Sequence, residues 1–563
     1  MTDLTRRGAL GLFGGVAGLA GCAATGEGPE PVPFSGNVAF NHGIASGDPL
    51  SDRVIIWTRV TPLTGDGPIE VSYIVTEAED ETVEMSGVFT TSAERDYTVK
   101  VDVAGLKDGR EYTYSFGVVT TTGEVRSAVG RTRTAAASGI RPLKAAVISC
   151  SNFPFGYFNV YDALADEGDL DVVIHLGDYI YEYGPDSYGG EAGEALGRRH
   201  NPPHEILVLD DYRQRHAQYK ADPSLQKAHA SAPWICTWDD HESTNNSYRT
   251  GAENHNDGEG DWTERKAQAV QAYLEWMPVR DPAAGQPRAA IWRSFDFGDV
   301  ATISCLETRL IGRSDEISWG AELAGVAPED FPETARDVLA RVNDPSRTML
   351  GPDQEVWLSG ELTGSVQRGK TWQVLANQII MAEVRMPNFA EKLTQEQIAG
   401  AVVAAGENGD FVRQVVGFST LGLPQNLDAW DGFPAARERL YKSAADVGAH
   451  LVTLTGDTHT AWANTLKDTA SDVRGVEFGC TSVTSPGLGD YLQGVDSLGE
   501  MFSDANDQVN WFDPHGNGYT MVSFHTDRIE AVFRKVSTIT EADYDVRTEA
   551  EFIYTKESGL QTT

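Results

Sequence analysis

The feature that most constrains this chain is the stretch Asp171-Val-Val-Ile-His-Leu-Gly-Asp-Tyr-Ile-Tyr-Glu-Tyr-Gly184. Val172, Val173, Ile174 and Leu176 form an apolar run too short for most helices and closed by a glycine. That is the pattern of a strand buried on both faces of a parallel sheet. Gly177 lets the backbone turn sharply, so Asp178 and Tyr181 emerge just past the strand end. Ligands of open α/β sheets bind outside the carboxyl ends of the strands. A carboxylate and a phenol placed there suit a hard, highly charged metal ion. Alone the match is weak, because Asp and Tyr in loops are commonly hydrogen-bonded turn residues.

Three further blocks repeat the arrangement. Ser149-Cys150-Ser-Asn152, Trp238-Asp239-Asp240-His241-Glu242 and Gly456-Asp457-Thr-His459 each follow an apolar run. The four blocks together bring a thiol, carboxylates, a phenol and imidazoles to one rim of one sheet. A two-metal site needs such a rim, with a carboxylate shared between ions roughly 3.5–4 Å apart.

At 563 residues the chain is too long for one ordinary core. From about 36 to 138 it reads as short alternating strands at 53–59, 69–76, 97–103 and 112–119. Leu106-Lys-Asp-Gly-Arg-Glu-Tyr-Thr-Tyr114 resembles the L-x-x-G-x-x-Y corner of fibronectin-like sandwiches. A small all-β, fibronectin/immunoglobulin-like domain is expected there, leading out through 132–142. From about 143 the rhythm becomes β-α-β, with strands expected at 143–149, 171–176, 233–238, 300–306, 372–379, 450–455, 476–479 and 519–524. Helices are expected at 155–166, 209–220, 223–230, 352–362 and 433–447. The one at 223 opens with Asp222-Pro223, an N-cap followed by proline at the first helical position. The insertions 184–205 and 385–430 lack periodicity and read as long loops of the lid type.

The ends and the charge limit the function. Residues 1–22 read as a targeting segment, with Arg6-Arg7 before an apolar stretch too short to span a bilayer. A twin-arginine start is a bacterial export signal. Leu19-Ala-Gly-Cys22 resembles a lipoprotein cleavage box, which makes Cys22 the lipidated first residue; plain cleavage near Ala24 is the alternative. Residues 23–35 are a flexible tether. The expected location is therefore periplasmic or extracellular, with membrane attachment only through the anchor. A net charge of 45 − 83 = −38 argues against electrostatic binding of nucleic acid or anionic lipid. Cys150, Cys236, Cys305 and Cys480 have no C-x-x-C spacing, so neither a disulfide framework nor a zinc ribbon is indicated.

The order of the blocks resembles the calcineurin-like metallophosphoesterases, whose G-D-x-x-Y, G-N-H-[DE] and G-H-x-H blocks run in the same sequence. Here Asp239-Asp240-His241 stands for G-N-H, and Gly456-Asp457-Thr-His459 stands for G-H-x-H. Those departures, the leading Ser149-Cys150, and Gly43-Ile-Ala-Ser-Gly-Asp-Pro49 with Val54-Ile-Ile-Trp-Thr-Arg59 resemble the PhoD-type alkaline phosphatase family across nearly the whole mature chain. The resemblance implies an α/β fold, the α+β four-layer metallophosphoesterase sandwich, over 139–563 behind the β domain at 36–138. It implies Fe(III) held by Cys150 and Tyr181, Asp178 bridging to Ca(II), Asp240 on the second metal, His459 as a metal ligand, and Asp457 favouring calcium. His241 would stabilise the transition state or act as general acid.

Several residues keep two readings. Asn245 or Asn246 offers an amide to calcium or makes an Asx turn. Asn152 donates to phosphate or caps a turn. Arg309 binds phosphate bidentately or pairs with Glu307 or another neighbour. Asn377-Gln378 interrupts a buried strand and is a further candidate, whereas His175, His200, His204 and His216 read as satisfied or surface groups. The expected enzyme is an exported alkaline phosphatase and phosphodiesterase acting on small phosphate esters, nucleotides or phospholipid/teichoic-type diesters. The rivals are a generic dinuclear nucleotidase or phosphodiesterase and a non-catalytic solute-binding lipoprotein.

Overall fold

The computed structural model describes residues 32–404, 409–492 and 494–563. The targeting segment, Cys22 and most of the 23–35 tether lie outside the described residues. Two sheets stack face to face, with helices on both outer faces, giving four layers. In the first sheet Leu143–Ile148, Val172–His175 and Trp234–Cys236 run parallel. In the second, Ala301–Cys305, Trp372–Ala376, Leu451–Thr455 and Val473–Gly479 run parallel. The shared core between the sheets includes Val147, Ile174, Ile235, Ile303, Val374 and Val452, all buried. These strands read as continuous apolar runs because both of their faces are covered.

The expected strands and helices are present with ends shifted by a few residues. One expectation is corrected. The 385–430 insertion is not loop but carries the helices Phe389–Lys392, Gln395–Ala404 and Gly409–Ser419, and 184–205 contains the short helix Gly190–Leu196. Apolar side chains of that insertion, among them Phe389, Leu393, Val412, Phe418 and Trp430, join the core. Small and polar residues between them hide the helical period.

The N-terminal strands form a sandwich around Val54, Ile56, Val71, Val99, Tyr112 and Phe116. The Tyr112 hydroxyl accepts from the Lys107 N–H at 2.9 Å and donates to the Lys107 carbonyl at 3.2 Å, fastening the corner seen in the sequence. The sandwich is not free-standing. Ile44–Gly47, Arg53–Arg59 and Thr98–Ala104 extend the first sheet beyond Trp234–Cys236, through the pairing of Gly47 with Trp234. Ten strands therefore run from one module into the other.

That seam buries Lys220. Its ammonium lies 4.4 Å from the Trp57 ring centroid and 3.2 Å from His229 Nε2, with no carboxylate partner among the described residues. Burial pushes the lysine down to about 7. His42, His175 and His216 are each pushed down to about 3 by burial. His216 was expected to be satisfied or on the surface; it is instead buried with both ring nitrogens unpartnered, stacked on Trp276. A basic group whose pKa is depressed by folding costs stability at pH values where the unfolded chain holds the proton, and the cost vanishes once the unfolded chain gives it up. Stability should therefore fall below about pH 6.5, as the unfolded histidines take up protons, and should rise between about 7 and 10.5 through Lys220. Urea unfolding of Lys220→Met checks this: a gain of about 2–4 kcal/mol at pH 7 is expected, shrinking towards zero near pH 10. A loss of stability at pH 7 would mean that the ammonium is favourably held.

Candidate metal centre

All four sequence blocks converge where the strand ends of the two sheets meet. Ser149 bridges to Ser482, and the Val483 N–H donates to the Ser149 carbonyl at 2.9 Å, so Cys150 lies on the line of contact. Two glycines permit the approach. A Cβ on Gly177 would stand 2.3 Å from the Asp239 nitrogen, and one on Gly456 would stand 2.4 Å from Ser149 Oγ. Cys150, Asp178, Asn246, Asp457 and His459 all adopt positive φ, between 49° and 63°. Non-glycine residues rarely do so, and such strain gathers at functional sites.

The donor atoms form three overlapping groups, each within 4.8 Å: Cys150, Asp178 and His459; Asp178, Asp240 and His241; Asp239, Asp240 and Asp457. Asp178 belongs to the first two, as a bridging ligand should. Its Oδ2 lies 3.4 Å from Cys150 Sγ and accepts from the Tyr181 hydroxyl at 3.2 Å. The same hydroxyl is 3.3 Å from His459 Nε2 and accepts from Ser485 Oγ at 2.7 Å. His459 Nδ1 lies 2.9 Å from the Pro486 carbonyl, which fixes the tautomer with its proton there and leaves Nε2 free to ligate. Burial holds this imidazole down at about 4, so it is neutral.

The electrostatics fit a site that binds cations. Burial drives Asp178 and Asp457 well above the ordinary carboxylate range, and neighbouring carboxylates push the same way. Asp239 is raised by burial to about 6 against the pull of Arg309. Burial also opposes ionisation of Asp240, but Arg309 and His241 outweigh it and hold this group low. Asp178 Oδ1 and Asp239 Oδ2 are buried without a hydrogen-bond partner. Facing carboxylates with empty lone pairs are a donor set for hard cations.

Two contributors carried no role in the sequence reading. Glu182 Oε2 lies 2.7 Å from His241 Nδ1, and its other oxygen accepts from the Asn245 N–H at 2.8 Å. Burial disfavours the imidazolium, yet Glu182, Asp240 and Asp178 prevail and hold His241 well above its ordinary pKa. Glu242 accepts from the N–H groups of Asp178, Tyr179 and Asp239 at 3.0, 2.7 and 2.9 Å, tying two motif loops together. Glu182 directly follows the recognised Gly177–Tyr181 motif, and Glu242 is the last residue of the Trp238–Glu242 block. That adjacency was the only available signal.

The second-tier candidates separate. Asn152 makes no cap, and both of its buried amide atoms lack partners, so it remains available to a ligand. The Asn246 amide nitrogen donates to Glu253 and Glu316, both at 2.9 Å, bonds that engage the nitrogen and not the oxygen a cation would take. Arg309 is corrected. It is fully buried, its Nε donates to Asp239, Nη1 lies 2.7 Å from Asp428, and Nη2 lies 3.3 Å from Asp457. Every nitrogen is occupied, so it anchors acids and does not meet phosphate. Glu307 accepts from the Arg309 backbone N–H, not its side chain. Asn377 and Gln378 are also structural: Gln378 Nε2 donates to the Trp238 and Leu306 carbonyls at 2.9 and 2.7 Å.

A four-layer α/β sandwich with a thiol, carboxylates, a phenol and imidazoles at its strand ends defines a hydrolase of phosphoric esters. Residues 145–533 match the family described as PhoD-like phosphatase, and residues 26–136 match its N-terminal domain. The chain belongs to the PhoD-like phosphatase family and is a phosphatase. It is 33% identical to alkaline phosphatase D of Bacillus subtilis (strain 168) over 546 residues, covering 94% of this chain and 83% of that protein. It also matches a solved structure of PhoD at 30% identity with a TM-score of 0.76, covering 94% of this chain and 93% of the other.

If Arg309 anchors acids, Arg309→Gln should cost about 3–5 kcal/mol in urea unfolding of chelator-treated protein, because it strands buried carboxylates. Arg309→Lys should not rescue it, since a point charge cannot meet three carboxylates at once. An unchanged unfolding midpoint with a raised KM would return Arg309 to phosphate binding.

Proposed function

We propose that this phosphatase is metal-dependent, works at alkaline pH, and cleaves small phosphate mono- and diesters. The observation that carries the reading is the convergence of Cys150, Asp178, Tyr181, Asp240, Asp457 and His459 with unpaired carboxylate oxygens between them. Cys150, Tyr181 and His459 would hold Fe(III), Asp240 and Asp457 would hold Ca(II), and Asp178 would serve both. Such ions supply Lewis-acid polarisation of phosphoryl oxygens and acidify water. The protein's own groups do the rest. His241, kept protonated by Glu182, gives a proton to the leaving oxygen, and its raised pKa suits it to remain an acid in alkaline solution. Asn152 offers an amide donor to a phosphoryl oxygen.

Cys150→Ser and Asp178→Asn should each lower kcat/KM on phosphate esters by about two to three orders of magnitude and lower the bound iron measured in the same samples. Full activity in both variants would refute the reading. Bound zinc alone would refute only the metal assignment.

We further propose export by the twin-arginine route and a lipid tether at Cys22, placing the enzyme on the periplasmic or extracellular side. The support is Arg6-Arg7 and the Leu19-Ala-Gly-Cys22 box. Cys22→Ala should move the enzyme from the membrane to the soluble fraction on cell fractionation. An unchanged distribution would remove the anchor.

A further inference from the structure

Around His241 the protein has built a wall of aromatic rings that reaches beyond Tyr181 to rings given no part in the metal centre. Tyr181 stacks on the imidazole at 4.1 Å between centroids, and Tyr183 stands 5.4 Å away on a tilted plane. Tyr188 continues the wall, 5.3 Å from Tyr183, 6.4 Å from Tyr181 and 4.9 Å from Phe155. The Tyr491 phenol is a direct neighbour of the Tyr188 phenol.

These rings are fixed by the same segments that carry the donor atoms. Phe155 closes the turn Phe153–Phe155 that follows Asn152. Tyr188 is pinned by Gly189, whose φ is 88° and where a Cβ would stand 3.2 Å from Phe155 and Pro154 side-chain atoms. Tyr491 ends the short helix Leu488–Tyr491, just beyond Ser485 and Pro486, which hold Tyr181 and His459. Tyr183, Tyr188 and Tyr491 are each partly exposed, whereas Tyr181 is sealed.

A core does not need three partly exposed tyrosines in a wall that begins at one histidine. Partly exposed aromatic faces are binding surfaces for planar groups, which prefer offset or edge-to-face contact. We propose that Tyr183, Tyr188 and Tyr491 form a clamp for the leaving group and set a preference for phosphate esters whose alcohol carries a planar aromatic ring, such as aryl, benzyl or nucleoside esters, over purely aliphatic ones. This rests on the proposed role of His241, because the group that receives a proton from that imidazole must lie beside it.

The test is steady-state kinetics of Tyr188→Ala, Tyr188→Phe and Tyr491→Ala on phenyl phosphate, benzyl phosphate and glycerol 2-phosphate, in enzyme with its metals in place. Benzyl phosphate separates the ring from leaving-group acidity, since its ring sits on an alkyl alcohol. Tyr188→Ala is expected to raise KM about tenfold for both ring-bearing esters and to change glycerol 2-phosphate kinetics by less than about twofold, with Tyr188→Phe close to wild type. Equal losses on all three esters, or none, would overturn the clamp while leaving the phosphatase reading intact. Unchanged aryl selectivity in His241→Asn would instead fault the leaving-group role on which the clamp depends, and with it the clamp.

Discussion

The structure depends on the disposal of buried negative charge at one sheet edge. Asp178, Asp239, Asp240, Asp457, Asp428, Glu182 and Glu242 crowd a region where Arg309, Arg313 and His241 are the opposing cations among the described residues. A buried carboxylate is costly unless it is paired or hydrogen-bonded. Glu242 is met by three backbone N–H groups, Glu182 by His241 and the Asn245 N–H, and Asp428 by two arginines. What remains unmet is concentrated on Asp178 and Asp239, at the centre. The surroundings are thus satisfied by protein, and the centre is left for something else.

The parts of this arrangement that sequence revealed are those written in short local patterns. An apolar run ending in Gly-Asp says where a buried strand stops, and parallel sheets line such stops up along one edge. Cys150, Asp178, Asp240 and His459 were legible for that reason. Arg309 was not, because an arginine after a strand can reach up to a ligand or down to acids. The choice is made by Asp428, 119 residues away, inside the insertion whose helices also escaped notice. Glu182 lay in plain view but without a partner, since its bond to His241 spans 59 positions.

The joining of the two modules through one sheet was hidden for the same reason. Local alternation correctly indicated an all-β N-terminal part, but no local pattern announces that Gly47 will pair with Trp234. The seam has consequences beyond topology, because it encloses Lys220 and four histidines that burial keeps below their ordinary values. The outer antiparallel strands Ile529–Val536 and Val546–Thr555 were also missed. Glu530 and Arg534 on the first, and Arg547, Glu549 and Glu551 on the second, dilute the apolar signal on which strand recognition relies.

The orientation of Arg309 finally bears on how an anionic ester is received by a chain of net charge −38. Phosphate sites commonly use a free guanidinium to neutralise the incoming charge. Here that guanidinium is spent beneath the floor, and the site's remaining cationic side chain is His241, locked to Glu182. An ester approaching this rim meets carboxylates first. Its charge must then be balanced by cations that those carboxylates themselves retain. The acids that would repel the substrate in bare protein are what would hold the positive charge that attracts it. On this view, the metal dependence proposed above follows from where one arginine points.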